Sequence, residues 1–247
     1  MSKWLNATVI DNRRWTSDLT SLKIEADLGQ FNAGQFVRIG LEIDGEIVAR
    51  PYSLVNAPSE AALEILFNIV PEGPLSPRLF ELQPGDDVLV ANNPAGFLTV
   101  GEVPEVSNLW MMATGTAIGP FLSILKGTEA WQRFEHVILT YSVRNSEEQA
   151  YAEQISALVE AHSQQLCFIP IITREQIPDT LSMRIPQAIT DGELEKRAGV
   201  SLAADNSHVM LCGSTDMIRD VSEVLEARGM RKHRRREPGH YTSEKYH

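Results

Sequence analysis

Only two cysteines, Cys167 and Cys212, occur in the 247 residues. That is too few for a disulfide framework and too few to ligate an iron–sulfur cluster by thiolates alone. Redox chemistry, if the chain performs any, must be carried by another cofactor. No apolar run approaches the roughly 20 residues that cross a bilayer. The opening Met1-Ser2-Lys3-Trp4-Leu5-Asn6 puts a polar and a charged residue before any hydrophobic stretch. The expected protein is neither secreted nor membrane-spanning. A G-x-S-x-G elbow, an H-E-x-x-H pair and a Cys/His cluster with metal spacing are missing too, which sets aside the hydrolases and any metal centre. Internal repeats and low-complexity segments are also absent.

What is present is the composition of a folded protein: 43% hydrophobic and 22% charged residues. The length leaves room for one large domain or two modest ones. The net charge of −11 is unevenly spread. From Arg228 to His247, seven cations (Arg228, Arg231, Lys232, Arg234, Arg235, Arg236 and Lys245) face only Glu237 and Glu244, so this segment carries +5 and the remainder −16. So acidic a body excludes bulk binding to nucleic acid, whereas a local basic patch either docks an acidic partner or is a solvated tail.

The first hundred residues alternate short runs rich in Val, Ile, Leu and aromatics with turn signals. Strands are expected at Trp4–Ile10, Leu19–Ala26, Phe36–Leu41, Ile47–Leu54, Leu63–Val70 and Val88–Ala91, a helix at Ser76–Leu82, and a hairpin turn at Asp44-Gly45. Closely spaced short strands predict an antiparallel barrel or sandwich. Beyond 102–104 the rhythm changes. Strands at Leu109–Ala113, Val137–Ser142, Leu166–Ile172 and His208–Cys212 alternate with helices at Gly119–Lys126, Glu147–His162, Ile185–Arg197 and Thr215–Arg228, which predicts a parallel sheet with helices on both faces. The expected domains are residues 1–100 and 101–247.

Three segments carry chemistry. Arg50-Pro51-Tyr52-Ser53 ends a strand and supplies a cation for a pyrophosphate, an aromatic face and a small hydroxyl; alone, such a strand more often just has polar and half-buried faces. Asn68-Ile69-Val70-Pro71-Glu72-Gly73-Pro74-Leu75-Ser76-Pro77 runs from a strand through a turn into a helix start, either an anion site or plain capping by Ser76. Met111-Met112-Ala113-Thr114-Gly115-Thr116-Ala117-Ile118-Gly119 leads a buried strand into a glycine turn and a helix, the arrangement that brings backbone N–H groups to a dinucleotide pyrophosphate. It is not G-x-G-x-x-G, and glycine at such turns is common for steric reasons.

Together with MLCGSTDMIRD at 210–220 and KHRRREPGHYTSEKY at 232–246, RPYS at 50–53, VPEGPLSPRL at 70–79 and ATGTAIGPFLSIL at 113–125 make the chain resemble the bacterial ferredoxin (flavodoxin)–NADP reductases from one end to the other. The resemblance implies a Greek-key FAD-binding β-barrel, then an α/β domain with a five-stranded parallel sheet that binds NADP(H). Arg50, Pro51, Tyr52, Ser53, Phe67, Asn68, Ile69, Pro74, Leu75, Ser76, Thr116, Tyr246 and His247 would contact FAD. Arg50 and Ser76 would hold the diphosphate, Tyr52 would stack on the ring system and Ser53 would lie near N5. Gly115, Gly119, Val143, Arg144, Thr173, Arg174, Arg184, Met210, Leu211 and Cys212 would serve NADP(H), the arginines gripping its 2′-phosphate. Ser53, Cys212 and Tyr246 would border the reacting rings. Enterobacterial members end in Tyr-Trp where this chain has Tyr246-His247, so Tyr246 is the firmer flavin contact. The implied activity is electron transfer in the cytoplasm, by a monomer, between NADPH and an acidic ferredoxin or flavodoxin docked on a basic patch that includes the C-terminal segment with His233 and His240. The rivals are an NAD(P)H:flavin reductase, an oxygenase reductase (which usually has its own iron–sulfur domain) and a non-catalytic binding module built on 228–236.

Overall fold

The computed structural model describes residues 3–246. The chain divides into two compact units, Met1–Thr99 with Gly119–Gly127, and Val100–Ile118 with Thr128–His247.

In the first unit six antiparallel strands, β1 (Trp4–Arg14), β2 (Leu19–Glu25), β3 (Phe36–Ile43), β4 (Glu46–Ser53), β5 (Leu63–Asn68) and β6 (Asp87–Ala91), lie in the order β4-β3-β6-β1-β2-β5. The two ends of that order meet. Leu54 bridges Ile65, and the Val55 N–H donates to the Glu64 carbonyl at 2.8 Å, so the sheet curls into a barrel. A long connection through α1 (Ser76–Glu81) carries β6 back between β1 and β3, the Greek-key crossing. Val9, Leu22, Ile24, Val37, Ile39, Leu54, Ile65 and Val90 fill the interior with no exposure; each such side chain stabilises the fold by about 1.5–3 kcal/mol. The β3–β4 turn is the two-residue hairpin expected, with Asp44 and Gly45 at φ 52° and 81° between the Ile43–Glu46 pair.

The second unit is a five-stranded parallel sheet, β7 (Asn108–Thr114), β8 (His136–Val143), β9 (Leu166–Ile172), β10 (Ser207–Gly213) and β11 (Tyr241–Lys245), in the order β11-β10-β7-β8-β9. The direction of strand addition reverses between β7 and β10. In open α/β sheets the crevice beyond the carboxyl ends of two such strands is where ligands bind. The fifth strand, Tyr-Thr-Ser-Glu-Lys, is mostly polar and beyond its pairing with β10 meets an isolated bridge between Lys232 and Tyr241, so no apolar run announces it.

The helices depart from the expected ones in three places. Residues 147–162 do not form one helix: α4 (Ala152–Ala161) begins after Tyr151, whose φ of 61° breaks the helical path. Gly192, at φ 73°, splits the expected helix at 185–197 into α5 (Ile185–Thr190) and α6 (Glu193–Ala198). A one-turn helix at Glu129–Arg133, α3, was not expected; it follows α2 (Ile118–Leu125), and α7 is Thr215–Ala227. α2 is almost wholly apolar and packs in the first unit. There the Ser123 hydroxyl donates to the Asn56 carbonyl at 2.7 Å, and Lys126 pairs with Glu60 at 3.3 Å. Among the described residues, no helix is long and apolar enough to cross a membrane, and no group of three or more His, Cys, Asp or Glu is arranged to hold a metal ion.

Candidate functional site

Barrel closure brings the first set of site residues together. Tyr52 near the end of β4 meets Phe67 on β5 edge to face, with ring centroids 5.6 Å apart. Tyr52 and Ser53 are nearly enclosed, while Arg50, Pro51, Asn68 and Pro74 are exposed. The Arg50 guanidinium spends one Nη1 hydrogen bond on the Ala49 carbonyl at 2.9 Å, which leaves most of its fork for an anion. Burial pushes the Tyr52 phenol up to about 12, against the weaker pull of the Arg50 charge, so it stays neutral at physiological pH and remains a hydrogen-bond donor.

Ser76 does not cap α1. It is the first helical residue, Leu75 holds the cap position without a side-chain bond, and Pro77 follows. The Ser76 hydroxyl instead accepts the Val70 N–H at 2.8 Å, which fixes the turn after β5 and leaves its own proton to donate. Ile69 is held at the other end of that turn, its N–H donating to the Asp18 carbonyl at 2.8 Å. A guanidinium, a hydroxyl donor, an aromatic ring and exposed Asn68 on one rigid barrel are a donor set that fits FAD.

The second set lies where the parallel strands reverse order. Gly115 takes φ 56° directly after β7, and a Cβ there would meet nothing within 4 Å, so the turn borders open space. Across from it Gly213 is crowded. A Cβ there would lie 2.2 Å from Thr114 Oγ1 and 2.6 Å from Met217 Cε, and only glycine lets β7 and β10 end so close together. Thr114 Oγ1 accepts the Ser214 N–H at 3.4 Å, and the Ser214 hydroxyl caps α7 by accepting the Met217 N–H at 3.2 Å. The chain's last described residue returns here: the Tyr246 N–H donates to the Gly213 carbonyl at 3.0 Å, and its hydroxyl donates to the Thr116 carbonyl at 3.5 Å. Thr114, which lies in the 113–125 segment but was given no role there, thus organises the strand end. His247 lies outside the described residues.

Met210, Leu211 and Cys212 are fully buried in β10. Burial first, and the Glu244 charge second, push the Cys212 thiol well up, so it remains a thiol and presents no thiolate. Gly119 lies in α2, where a Cβ would come within 3.2 Å of Val55 Cγ2; its bareness serves close packing in the first unit.

The third set surrounds a groove of about 750 Å³ lined by Thr173, Arg174, Ser182, Met183, Arg184, Pro186, Gln187, Thr190 and Asp220. Arg174 and Arg184 are exposed, and neither forms an ion pair with a described residue. Two free guanidinium groups beside hydroxyls and an apolar Met–Pro wall suit a phosphorylated nucleoside. Arg144 does not line the groove; its carbonyl accepts the Arg174 N–H at 2.9 Å, and the Val143 carbonyl accepts the Thr173 N–H at 3.0 Å, which ties the ends of β8 and β9 together. Ser182, Met183, Gln187 and Thr190 belong to no motif; for Asp220 the only signal was its place in the MLCGSTDMIRD segment.

The basic C-terminal segment is not a loose tail. Arg228 is structural: it pairs with Glu195 at 2.8 Å and donates to the Ile189 carbonyl at 2.5 Å. Arg234 and Glu237 exchange backbone hydrogen bonds in a closed turn, and Arg234 and Arg235 reach Glu237 and Glu102 at 3.9 and 3.4 Å. Exposed Arg231, Lys232, Arg236 and Lys245 form no ion pair with a described residue.

Comparison with known proteins agrees with this arrangement. Residues 7–98 match the family described as oxidoreductase FAD-binding domain, and residues 111–223 match the oxidoreductase NAD-binding domain. The flavodoxin/ferredoxin–NADP reductase of Escherichia coli (strain K12) is 44% identical over 247 residues, 100% of both chains. The ferredoxin–NADP reductase of Pseudomonas aeruginosa is 34% identical over 99% of this chain and 98% of its own. Among solved structures, a ferredoxin NADP+ reductase from Neisseria gonorrhoeae with bound FAD and NADP superposes with a TM-score of 0.94 at 32% identity, covering 99% of each chain.

Proposed function

We propose the residue roles below from the premise that the chain belongs to the flavodoxin/ferredoxin–NADP reductase family. It is an FAD-dependent oxidoreductase that transfers electrons between NADPH and a one-electron carrier protein. FAD, when bound, supplies the means of taking two electrons as hydride and releasing them singly.

In the proposed assignment residues 1–100 hold FAD and residues 101–247 hold NADP(H), a division supported by the matched spans 7–98 and 111–223. Arg50 and Ser76 bind the flavin diphosphate, Tyr52 and Phe67 present aromatic surface to the ring system, and Pro51, Asn68, Ile69, Pro74 and Leu75 shape its bed. Ser53 offers a hydroxyl near the hydride-accepting nitrogen. Gly115 keeps backbone close to the NADP pyrophosphate. Thr116 and Tyr246 are flavin contacts, and Cys212, enclosed as a neutral thiol, gives the nicotinamide pocket a bulky apolar floor. Arg174 and Arg184 grip the 2′-phosphate, with Arg144 at the margin. The observation that carries this reading is the pair of unpaired guanidinium groups on a groove at the carboxyl side of the parallel sheet.

The proposed partner is an acidic ferredoxin or flavodoxin, drawn by charge to a face that includes Arg231, Lys232 and Arg236. The working form is a monomer in the cytoplasm, and two free thiols accord with a reducing compartment. The test is a visible spectrum of the isolated protein before and after anaerobic NADPH, followed by titration with a carrier. Yellow protein that bleaches with NADPH and recovers its colour on carrier addition is expected. A colourless protein, or colour untouched by NADPH, overturns the assignment.

A further inference from the structure

Beneath the basic turn lies a device the electron-transfer reading does not use. Residues 231–241 fold back on themselves so that two imidazoles serve as hydrogen-bond acceptors for the backbone. His240 Nδ1 accepts the Arg231 N–H at 2.8 Å, and His233 Nδ1 accepts the Gly239 N–H at 3.3 Å. The main chain completes the clasp. The His240 N–H donates to the Arg231 carbonyl and the His233 N–H to the Tyr241 carbonyl, both at 2.7 Å, while Arg234 and Glu237 close the tip. The strands of the clasp are so close that a Cβ on Gly239 would stand 2.5 Å from the Arg231 carbonyl oxygen.

A nitrogen that accepts a backbone N–H must carry no proton, and both nitrogens of an imidazolium are donors. Protonation of either ring therefore sets donor against donor at the base of the turn. The turn itself carries Arg231, Lys232, Arg234, Arg235 and Arg236 with Glu237 its single carboxylate, reached by Arg234. From β10, His208 meets the His233 ring edge to face at 5.7 Å. From β11 comes the Tyr241 hydroxyl, which is given to Glu226 of α7 at 2.6 Å, and Arg235 at the tip is directed to Glu102.

We propose that His233 and His240 form a proton-sensitive latch that presents Arg231, Lys232 and Arg236 to an acidic carrier only while both rings are neutral. This rests on the charge-docking reading above and adds its regulation. Histidine is the side chain that changes charge between pH 8 and 5, so docking is set at neutral pH and released on acidification. The turn then opens, and its cations, though more numerous, are no longer held as one surface.

The experiment compares the intact wild-type holoenzyme with the double variant His233→Asn/His240→Asn, in which an amide oxygen can accept the same N–H groups without titrating, and with Arg231→Glu/Arg236→Glu. Reduction of a purified flavodoxin and of a small dye is followed from pH 8 to 5.5, and backbone hydrogen exchange of residues 231–241 is recorded over the same range. For the wild type, kcat/KM for flavodoxin should fall about tenfold more than that for the dye, the scale expected when two hydrogen bonds are lost, with faster exchange in the turn. In the Asn variant both changes should shrink to about twofold or less. Equal pH profiles for wild type and Asn variant, or exchange of the turn indifferent to pH, overturn the latch. If the glutamate variant reduces flavodoxin as well as wild type at every pH, the docking reading itself has failed; if that variant is impaired but the Asn variant still follows the wild-type profile, only the latch has failed.

Discussion

Gly213→Ala tests how tightly the carboxyl ends of β7 and β10 are joined. The new methyl would stand 2.2 Å from Thr114 Oγ1, 2.6 Å from Met217 Cε and 3.4 Å from Thr114 Cβ, at a φ of 156° that L side chains rarely adopt. Met217 ends in a flexible methyl and can turn aside. Thr114 cannot, because it is fixed at its strand end and its hydroxyl accepts the Ser214 N–H. Overpacking of this kind costs about 1–3 kcal/mol, which for a chain of this length lowers Tm by about 2–12 °C. The displaced Gly213 carbonyl also releases the Tyr246 N–H, so NADPH-driven dye reduction should fall along with stability. Thr114→Ala removes the obstructing oxygen at the loss of one long hydrogen bond, about 0.5–1 kcal/mol. The double variant should therefore be more stable than the sum of the two single changes by about 1 kcal/mol or more, a coupling readable from urea midpoints. Additivity within about 0.5 kcal/mol would show that the two residues do not confront each other, and the account of this strand end would be wrong.

Arg174→Ala and Arg184→Ala should each raise the KM for NADPH about 10- to 100-fold, the range for losing a charge-assisted contact, and that for NADH about threefold or less; equal effects on both nucleotides would remove the arginines from 2′-phosphate recognition. Reduction of a carrier should weaken by about an order of magnitude between 50 and 500 mM salt while small-dye reduction barely changes, since only the protein encounter is long-ranged; parallel salt curves would defeat docking by charge. Buried His208 has its folded-state pKa pushed down to about 3, by burial first and then by the His233 charge. Because the unfolded chain takes up this proton first, its contribution is complete above pH 6.5 and falls as pH drops from 6.5 toward 3, by about 1.4 kcal/mol per unit. Urea midpoints at pH 7.5 and 5 should accordingly converge in His208→Leu relative to wild type, and equal losses in both proteins would deny the imidazole this role.

The barrel and the parallel sheet were legible because their strands carry the pattern of burial in their residues. Val37 and Ile39 point inward and alternate with exposed Arg38, and β7 and β10 are apolar on both faces as strands of a covered sheet must be. β11 escaped because an edge strand at a polar site needs no apolar side chains. Residues 50–53 and 68–77 offered the residue types of a site but stayed open to plain strand and capping until the family resemblance joined them, and the partnership of Tyr52 with Phe67 depends on closure between strands at opposite ends of the sheet order. The wall of the nucleotide groove was illegible for a related reason. Ser182, Met183, Gln187 and Asp220 come from two separate stretches of chain and acquire meaning only when α5 and α7 lie side by side. Cys212 was visible as a residue type, but its complete enclosure was not, since that depends on both neighbouring strands and on the layers above and below.

The allegiance of α2 has a consequence for anyone who would take the molecule apart. Three passages of the chain, at 99–100, 118–119 and 127–128, connect the two units, so no single proteolytic nick can free one intact. A fragment ended at residue 100 would lack the helix that packs against Val55 and whose Ser123 hydroxyl serves the Asn56 carbonyl, and would leave that side chain and that acceptor to water. Exchange of halves between relatives faces the same restriction: the helix has to travel with the barrel it covers, although its codons lie among those of the other half.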